Sequence, residues 1–202
     1  MNSEILELFC QSVSDVGLFS WWSASDDGQF QVEFAGTQLW LPPLIPDGPP
    51  CGTIALRFEG EVQRCFLRKD HRVMPADWAA KLQHDSIKPV RLTPRSMHLF
   101  YESGSTEWLE EVHRYAEMGR PPEPGDLLAR PARLLFWAGE VGVAVAARRL
   151  ALVSHQGDLD WQVVPDMVSR WWSYWEDYRK VRESAQACAW DYACEATVPV
   201  LE

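Results

Sequence analysis

The chain has 202 residues, of which 47% are hydrophobic and 24% are charged, and its formal net charge is −10 at pH 7. The proportions are those of an ordinary globular protein, so they exclude a disordered or collagen-like chain. The negative charge disfavours nucleic acid as the main partner, because approach to a polyphosphate would cost electrostatic free energy. A basic protein partner matches this charge better.

The cysteine usage and the absence of targeting segments indicate a cellular compartment. No Cys-x-x-Cys pair occurs, so we expect neither a disulfide framework nor a zinc knuckle, and a reducing cytoplasm is the simplest location. Residues 1–4 lack the basic start of a signal peptide. The longest apolar stretch, 134–147, is too short to span a bilayer. The sequence therefore predicts a soluble cytoplasmic protein without membrane association.

The first elements are a helix and an antiparallel meander. Ser3 is the expected cap of an amphipathic helix that ends at Gly17. Alternating apolar residues over 19–41 then predict strands joined by an Asp-Asp-Gly turn at 26–28. Five prolines follow between residues 42 and 52, and such a segment can neither join a central strand nor continue a helix.

The remaining elements alternate between hairpins and helices. A second hairpin is predicted from strands over 54–58 and 62–66. Ser105 or Thr106 is the expected cap of a helix that runs to Met118. A proline- and glycine-rich break at 119–125 precedes the last meander. The other predicted elements are a short helix at 75–82, strands within 87–101, strands near 132–138, 141–148, 150–154 and 159–164, and a long helix over 165–195.

These elements predict the fold class α+β. We expect a single domain over residues 1–202, with antiparallel sheets built from hairpins and meanders and covered by three or four helices, including the long C-terminal helix. The break at 119–125 leaves open two sub-halves, 1–118 and 126–202. No linker is long enough to separate independent domains.

Strand alternation nominates an acidic surface that bears tryptophan. If the apolar residues of the first meander face the core, the period of two sends Trp22, Glu33 and Trp40 to the other face. Asp26 and Asp27 lie in the turn beside them. Two interpretations are open: a helix covers this face and the tryptophans form a second core layer, or they form an exposed hot spot for a basic partner.

Arginines nominate a second surface, on the predicted second hairpin. There Arg57, Arg64 and Arg68 point away from the core, and Arg72 and Arg91 could join them. Such a cluster could clamp a carboxylate or phosphate in a concavity with aromatic walls, for which Phe66, Phe100 and Tyr101 are candidates. The other interpretation is a solvated face that nearby acidic residues neutralise.

No catalytic motif is present. The chain lacks a phosphate loop, a nucleophile elbow and a His-Glu-x-x-His motif, and its five histidines fall in five different predicted elements. We therefore expect no metal and no cofactor. Cys51 lies in a proline-rich loop without a basic neighbour, which favours a structural thiol over a nucleophile. The chain is better explained as a binding protein than as an enzyme.

The resulting hypothesis is a non-enzymatic interaction protein of the bacterial cytoplasm that binds a basic protein through its acidic, tryptophan-bearing surface. In size, acidity and lack of catalytic residues the chain resembles a toxin-neutralising immunity protein or a dedicated chaperone. The alternative is an anion-binding or enzymatic domain that uses the arginines. The aromatic stripe of the C-terminal helix could also form a homodimer.

Overall fold

The structure is a computed structural model, and it describes residues 2–14, 18–24, 28–44, 50–69, 90–91, 97–102, 108–138 and 141–183. The predicted helix at 75–82 and the turn residues Asp26 and Asp27 lie outside these ranges. In chain order the elements are α1 (Ser3–Ser14), β1 (Leu18–Ala24), β2 (Phe30–Ala35), β3 (Ile54–Glu59), β4 (Gln63–Arg68), β5 (Val90–Arg91), β6 (Met97–Tyr101), α2 (Trp108–Tyr115), β7 (Ala116–Gly119), α3 (Asp126–Ala129), β8 (Ala132–Ala138), β9 (Val141–Ala147), β10 (Arg149–Ser154), β11 (Gly157–Leu159), a 3₁₀ turn (Trp161–Val163) and α4 (Val164–Glu183).

The strands form two antiparallel sheets, which confirms the predicted α+β class. The six-stranded sheet has the order β11-β10-β3-β2-β1-β5, and the five-stranded sheet has the order β6-β8-β9-β4-β7. Each sheet takes strands from both sides of the break at 119–125. The stretches 1–118 and 126–202 therefore share both sheets.

The main core lies between the two sheets. Phe30, Val32 and Phe34 of β2 are buried and alternate with less buried residues, as predicted. The ring of Phe34 meets that of Phe136 on β8 edge to face, at 5.8 Å between centroids. Helix α1 and the start of α4 also pack on this core, where Phe9 contacts Trp161 at 5.4 Å. Both helices thus contribute side chains to the main core between the sheets.

A second core lies on the other face of the five-stranded sheet, under α2. Its members come from three strands and the helix: Cys65, Leu67, Leu135, Trp137, Ala144, Ala146, Trp108, Leu109 and Val112. Because this sheet is covered on both faces, β8 and β9 carry nearly continuous apolar runs rather than an alternating pattern. Trp137 is anchored further, since its indole N–H donates to Glu111 Oε1 of α2 at 2.6 Å.

The predicted second hairpin is wrong. β3 pairs with β2 and β10, whereas β4 pairs with β7 and β9 in the other sheet. The short connection carries the chain across the sandwich, with positive φ angles of 75° at Gly60 and 52° at Glu61. Glycine adopts such an angle at little cost, so Gly60 is suited to this corner.

Three element boundaries also differ from the prediction. The first helix is capped by Asn2, whose Oδ1 accepts from the Glu4 N–H at 3.0 Å, rather than by Ser3. Helix α2 ends at Tyr115, and the next residues become β7 because they pair with β4. The predicted strand at 159–164 ends at Leu159, where the 3₁₀ turn and α4 begin. Each difference depends on a partner that is distant in sequence or on one competing side-chain cap.

Candidate protein-interaction site

The outer face of the six-stranded sheet, opposite the main core, carries an ion-pair network. Arg57 Nε lies 2.7 Å from Glu59 Oε1, and Arg57 Nη2 lies 2.7 Å from Asp158 Oδ2. Hydrogen bonds to Asp158 and Glu59 raise the pKa of Arg57. Arg149 reaches the same Glu59 at 3.5 Å. The guanidinium of Arg57 is therefore already occupied by two carboxylates.

The structure does not bring the predicted arginines to one face. Arg57 belongs to the six-stranded sheet, and Arg64 and Arg68 belong to the five-stranded sheet. The Arg64 guanidinium lies 5.3 Å from the centroid of the Phe30 ring, where it covers an edge of the core. Arg91 lies opposite Leu18 in β5, at the edge strand beside β1. Arg72 lies outside the described residues.

The register of β1 departs from the regular alternation that was predicted around Trp22. An irregularity between Phe19 and Trp21 places Trp21 opposite Glu33 and Trp22 opposite Val32. Directly opposed residues of an antiparallel pair occupy the same face. The backbone position of Trp21, and not that of Trp22, therefore lies on the sheet face of Glu33. The uninterrupted alternation that predicted Trp22 on this face does not hold. The side chain of Trp22 lies outside the described residues, as do Asp26 and Asp27.

Trp40 packs against α4. Its backbone N–H donates to the Met167 carbonyl at 3.0 Å, and the Arg170 guanidinium lies 3.7 Å from the centroid of its ring. The side chain is half-buried. A helix therefore covers Trp40 in part, as in the interpretation of a second core layer, while Glu33 remains half-exposed on the sheet.

Helix α4 carries a stripe of aromatic residues that extends past its contact with Trp40. Trp171 contacts Trp175 at 5.9 Å and Trp175 contacts Tyr178 at 5.5 Å, and Trp172 is 54% exposed. Tyr178 is buried, and the aromatic residues within the described range 171–178 belong to neither core. The predicted homodimer through this helix stays a prediction.

A groove that sequence reasoning did not identify lies between α1 and β6. Its volume is about 400 Å³, and it is lined by Ser3, Leu6, Glu7 and Cys10 of the helix and by residues 97–101 of the strand. The four helix positions are spaced i, i+3, i+4 and i+7, which is one helix face. Phe100 and Tyr101, predicted as walls of an anion site, thus line a groove that holds a glutamate and none of the arginines. The helix spacing was readable in the sequence, but its pairing with β6 was not.

Burial keeps the thiol of Cys10 in this groove in its protonated form. Burial raises its pKa to about 12, outweighing the Leu99 backbone N–H, which favours the thiolate. The thiol therefore stays protonated at neutral pH. Cys51 is also buried, at 7% exposure, within the main core.

The described residues contain no cluster of three His, Cys, Asp or Glu side chains that could hold a metal ion. None of the described helices is both long and apolar enough to cross a membrane.

Comparisons of the chain with protein-family models, with curated proteins and with solved structures find no match.

Proposed function

We propose that this chain is a non-enzymatic interaction protein that binds a basic protein partner through its acidic surface, a role of the immunity-protein or dedicated-chaperone kind. A reducing cytoplasm is the proposed location, and the free thiols of Cys10, Cys51 and Cys65 are consistent with it.

The observation that carries the proposal is an imbalance in how surface charges are used. Seven basic side chains of the described residues are engaged in ion pairs with acidic residues of the same chain: Arg57, Arg120, Arg130, Arg148, Arg149, Arg170 and Lys180. In contrast, seven glutamates of the described residues form no ion pair, and five of these carboxylates form no hydrogen bond either: Glu4, Glu33, Glu102, Glu110 and Glu117. Arg64, Lys69 and Arg114 are the fewer basic side chains that likewise form no ion pair.

This imbalance leaves acidic charge available to a partner. Uncompensated surface charge attracts an oppositely charged protein and raises its association rate. Glu33 lies on the predicted acidic surface, six residues after Asp27, which with Asp26 belongs to the predicted turn. The proposed contact is therefore the outer face of the six-stranded sheet together with the predicted turn at 26–28.

The test uses affinity capture from cells of the source organism, followed by kinetics with the purified captured protein. We expect a protein of high isoelectric point. Asp26→Lys combined with Asp27→Lys should slow association about tenfold at low salt, and the difference should shrink at high salt. Glu117→Lys, a charge reversal on the edge strand β7 of the other sheet, is the matched control and should change association little.

Captured proteins of acidic isoelectric point would contradict the proposal. So would association rates that the turn variant leaves unchanged at both salt concentrations, or that the control slows equally.

The arginine alternative has less support in the geometry. Arg57 is engaged by two carboxylates and lies on a different sheet from Arg64 and Arg68. A bound anion would have to compete with those carboxylates for the guanidinium. Thermal-shift measurements with inorganic phosphate and nucleotides separate the two functions, because a specific ligand raises the melting temperature.

A further inference from the structure

The edge of β6 that does not pair with β8 faces α1. The Glu102 N–H donates to the Pro131 carbonyl at 3.2 Å, continuing the register in which Tyr101 lies opposite Ala132. In an antiparallel pair, hydrogen-bonded and non-hydrogen-bonded positions alternate. Residues 98 and 100 therefore bond to β8, whereas the backbone groups of Met97 and Leu99 point away from β8. β6 is the edge strand of its sheet.

The groove along this edge presents carbonyl oxygens and a carboxylate. The carbonyl groups of Met97 and Leu99 point away from β8, as does the Met97 N–H, whereas the Leu99 N–H is a hydrogen-bond partner of the Cys10 thiol. Glu7 adds an exposed carboxylate from α1, and its one described partner is the Gln11 side chain, at a long 3.5 Å. Such a set of acceptors complements a ligand that carries many donors.

The walls of the groove add an apolar contact. Leu6 lines it from the helix, and Phe100 and Tyr101 line it from the strand. The lining residues include His98 but no lysine or arginine, and Arg133, which lies 5.8 Å from the Phe100 centroid, is 4% exposed. Apolar walls beside a carboxylate suit a side chain with an aliphatic stem and a cationic end.

From these observations we infer that the groove between α1 and β6 binds an arginine side chain of the basic partner. The guanidinium pairs with the Glu7 carboxylate and donates to the edge carbonyls of β6, and the aliphatic stem packs along Leu6. Arginine is favoured over lysine because its planar group presents five donors in a fork, whereas an ammonium presents three. This inference rests on the proposed function for the source of the arginine.

The experiment titrates the full chain with blocked tripeptides Gly-Xaa-Gly and follows backbone amide shifts by NMR. We expect the arginine peptide to shift the amides of Glu7, Leu99 and their neighbours. The citrulline peptide has the same shape without the charge and should bind about tenfold more weakly, as should the arginine peptide to Glu7→Gln. The control Glu117→Gln removes a carboxylate from the opposite edge of the same sheet and should leave the dissociation constant unchanged.

Three results would overturn the inference: no shift at the groove with the arginine peptide, equal binding of citrulline, or equal binding by Glu7→Gln. A fourth is tighter binding of free arginine than of the blocked peptide, since the groove would then be a site for a free amino acid. Failure here is distinguishable from failure of the proposed function. A captured basic partner that depends on Asp26 and Asp27 but not on Glu7 would overturn only the groove.

Discussion

The side chains of Arg57 and Trp137 illustrate what single residues do in this fold. Arg57 links β3 to β11 through Asp158, which is 101 residues further along the chain. Trp137 fills the second core and is contacted by Tyr115 edge to face at 5.7 Å. Both side chains are held by several partners at once, so substitutions near them should have measurable costs.

Gly142 is required for the close packing of Trp137. The two residues are directly opposed across β8 and β9, and a Cβ on Gly142 would lie 2.7 Å from Trp137 Cε3. Gly142→Ala should lower the free energy of unfolding by about 2 kcal/mol, because the anchored ring cannot move aside. Urea denaturation measures this. Gly125→Ala is the control, since a Cβ there meets nothing within 4 Å, and an equal loss in both variants would contradict the argument.

Cys65 should make stability depend on alkaline pH. Burial raises its pKa from 9.0 to about 12. The unfolded chain therefore loses this proton first, and the thiol's contribution is complete below pH 9.0 and declines as the pH rises towards 12. Over that range the free energy of unfolding should fall by about 1.4 kcal/mol per pH unit on account of this group.

Cys65→Ala isolates this effect. Its stability difference from the parent chain should shrink between pH about 8 and about 10, since the variant lacks the titrating thiol. Denaturation curves that stay equally far apart at both pH values would show that Cys65 does not titrate as argued.

At the scale of elements, α2 is joined to the five-stranded sheet by packing and by one hydrogen bond. The helix buries Trp108, Leu109 and Val112 against the sheet and lies over β4 and β8. Its first turn holds both Glu110, which is exposed, and Glu111, which accepts from the Trp137 indole. Substituting Glu110 and Glu111 one at a time therefore separates the effect of the hydrogen bond from the effect of charge on the helix.

Glu111→Ala should destabilise the fold by about 1 to 2 kcal/mol, because it leaves the buried Trp137 N–H without its acceptor. Glu110→Ala removes the same charge from the same turn and should change stability by less than about 0.5 kcal/mol. Thermal or urea unfolding of the pair provides the measurement. Equal losses would assign the effect to helix charge and not to the bond.

At the scale of the whole molecule, the two halves of the chain interleave. The six-stranded sheet joins β10 and β11 to four strands that precede the break, and the five-stranded sheet joins β8 and β9 to three such strands. Fragments 1–118 and 126–202, expressed separately, should each lack a cooperative thermal transition, because each would leave both sheets incomplete. Circular dichroism measures this, with the intact chain as the control. A cooperative transition in either fragment would show an independent unit.

The sequence alone determined the properties that depend on local order. The period of two predicted the buried positions of β2, and the helical stripe predicted α1 and the start of α4, because alternation and the 3.6-residue repeat are set by backbone geometry. Composition determined the acidic balance. These features need no knowledge of which segments meet.

The tertiary structure decided which segments meet and therefore what each charged residue does. It separated Arg57 from Arg64 by placing β3 and β4 in different sheets. One irregularity in β1 put the position of Trp21, and not the predicted Trp22, on the sheet face of Glu33, and packing set α1 beside the edge of β6. Strand pairing depends on contacts between residues far apart in the chain, and a shift of one residue reverses the faces of a strand. The groove with Glu7 exists only because α1 and β6 pack together, although their lining residues Cys10 and Leu99 are 89 positions apart in the chain.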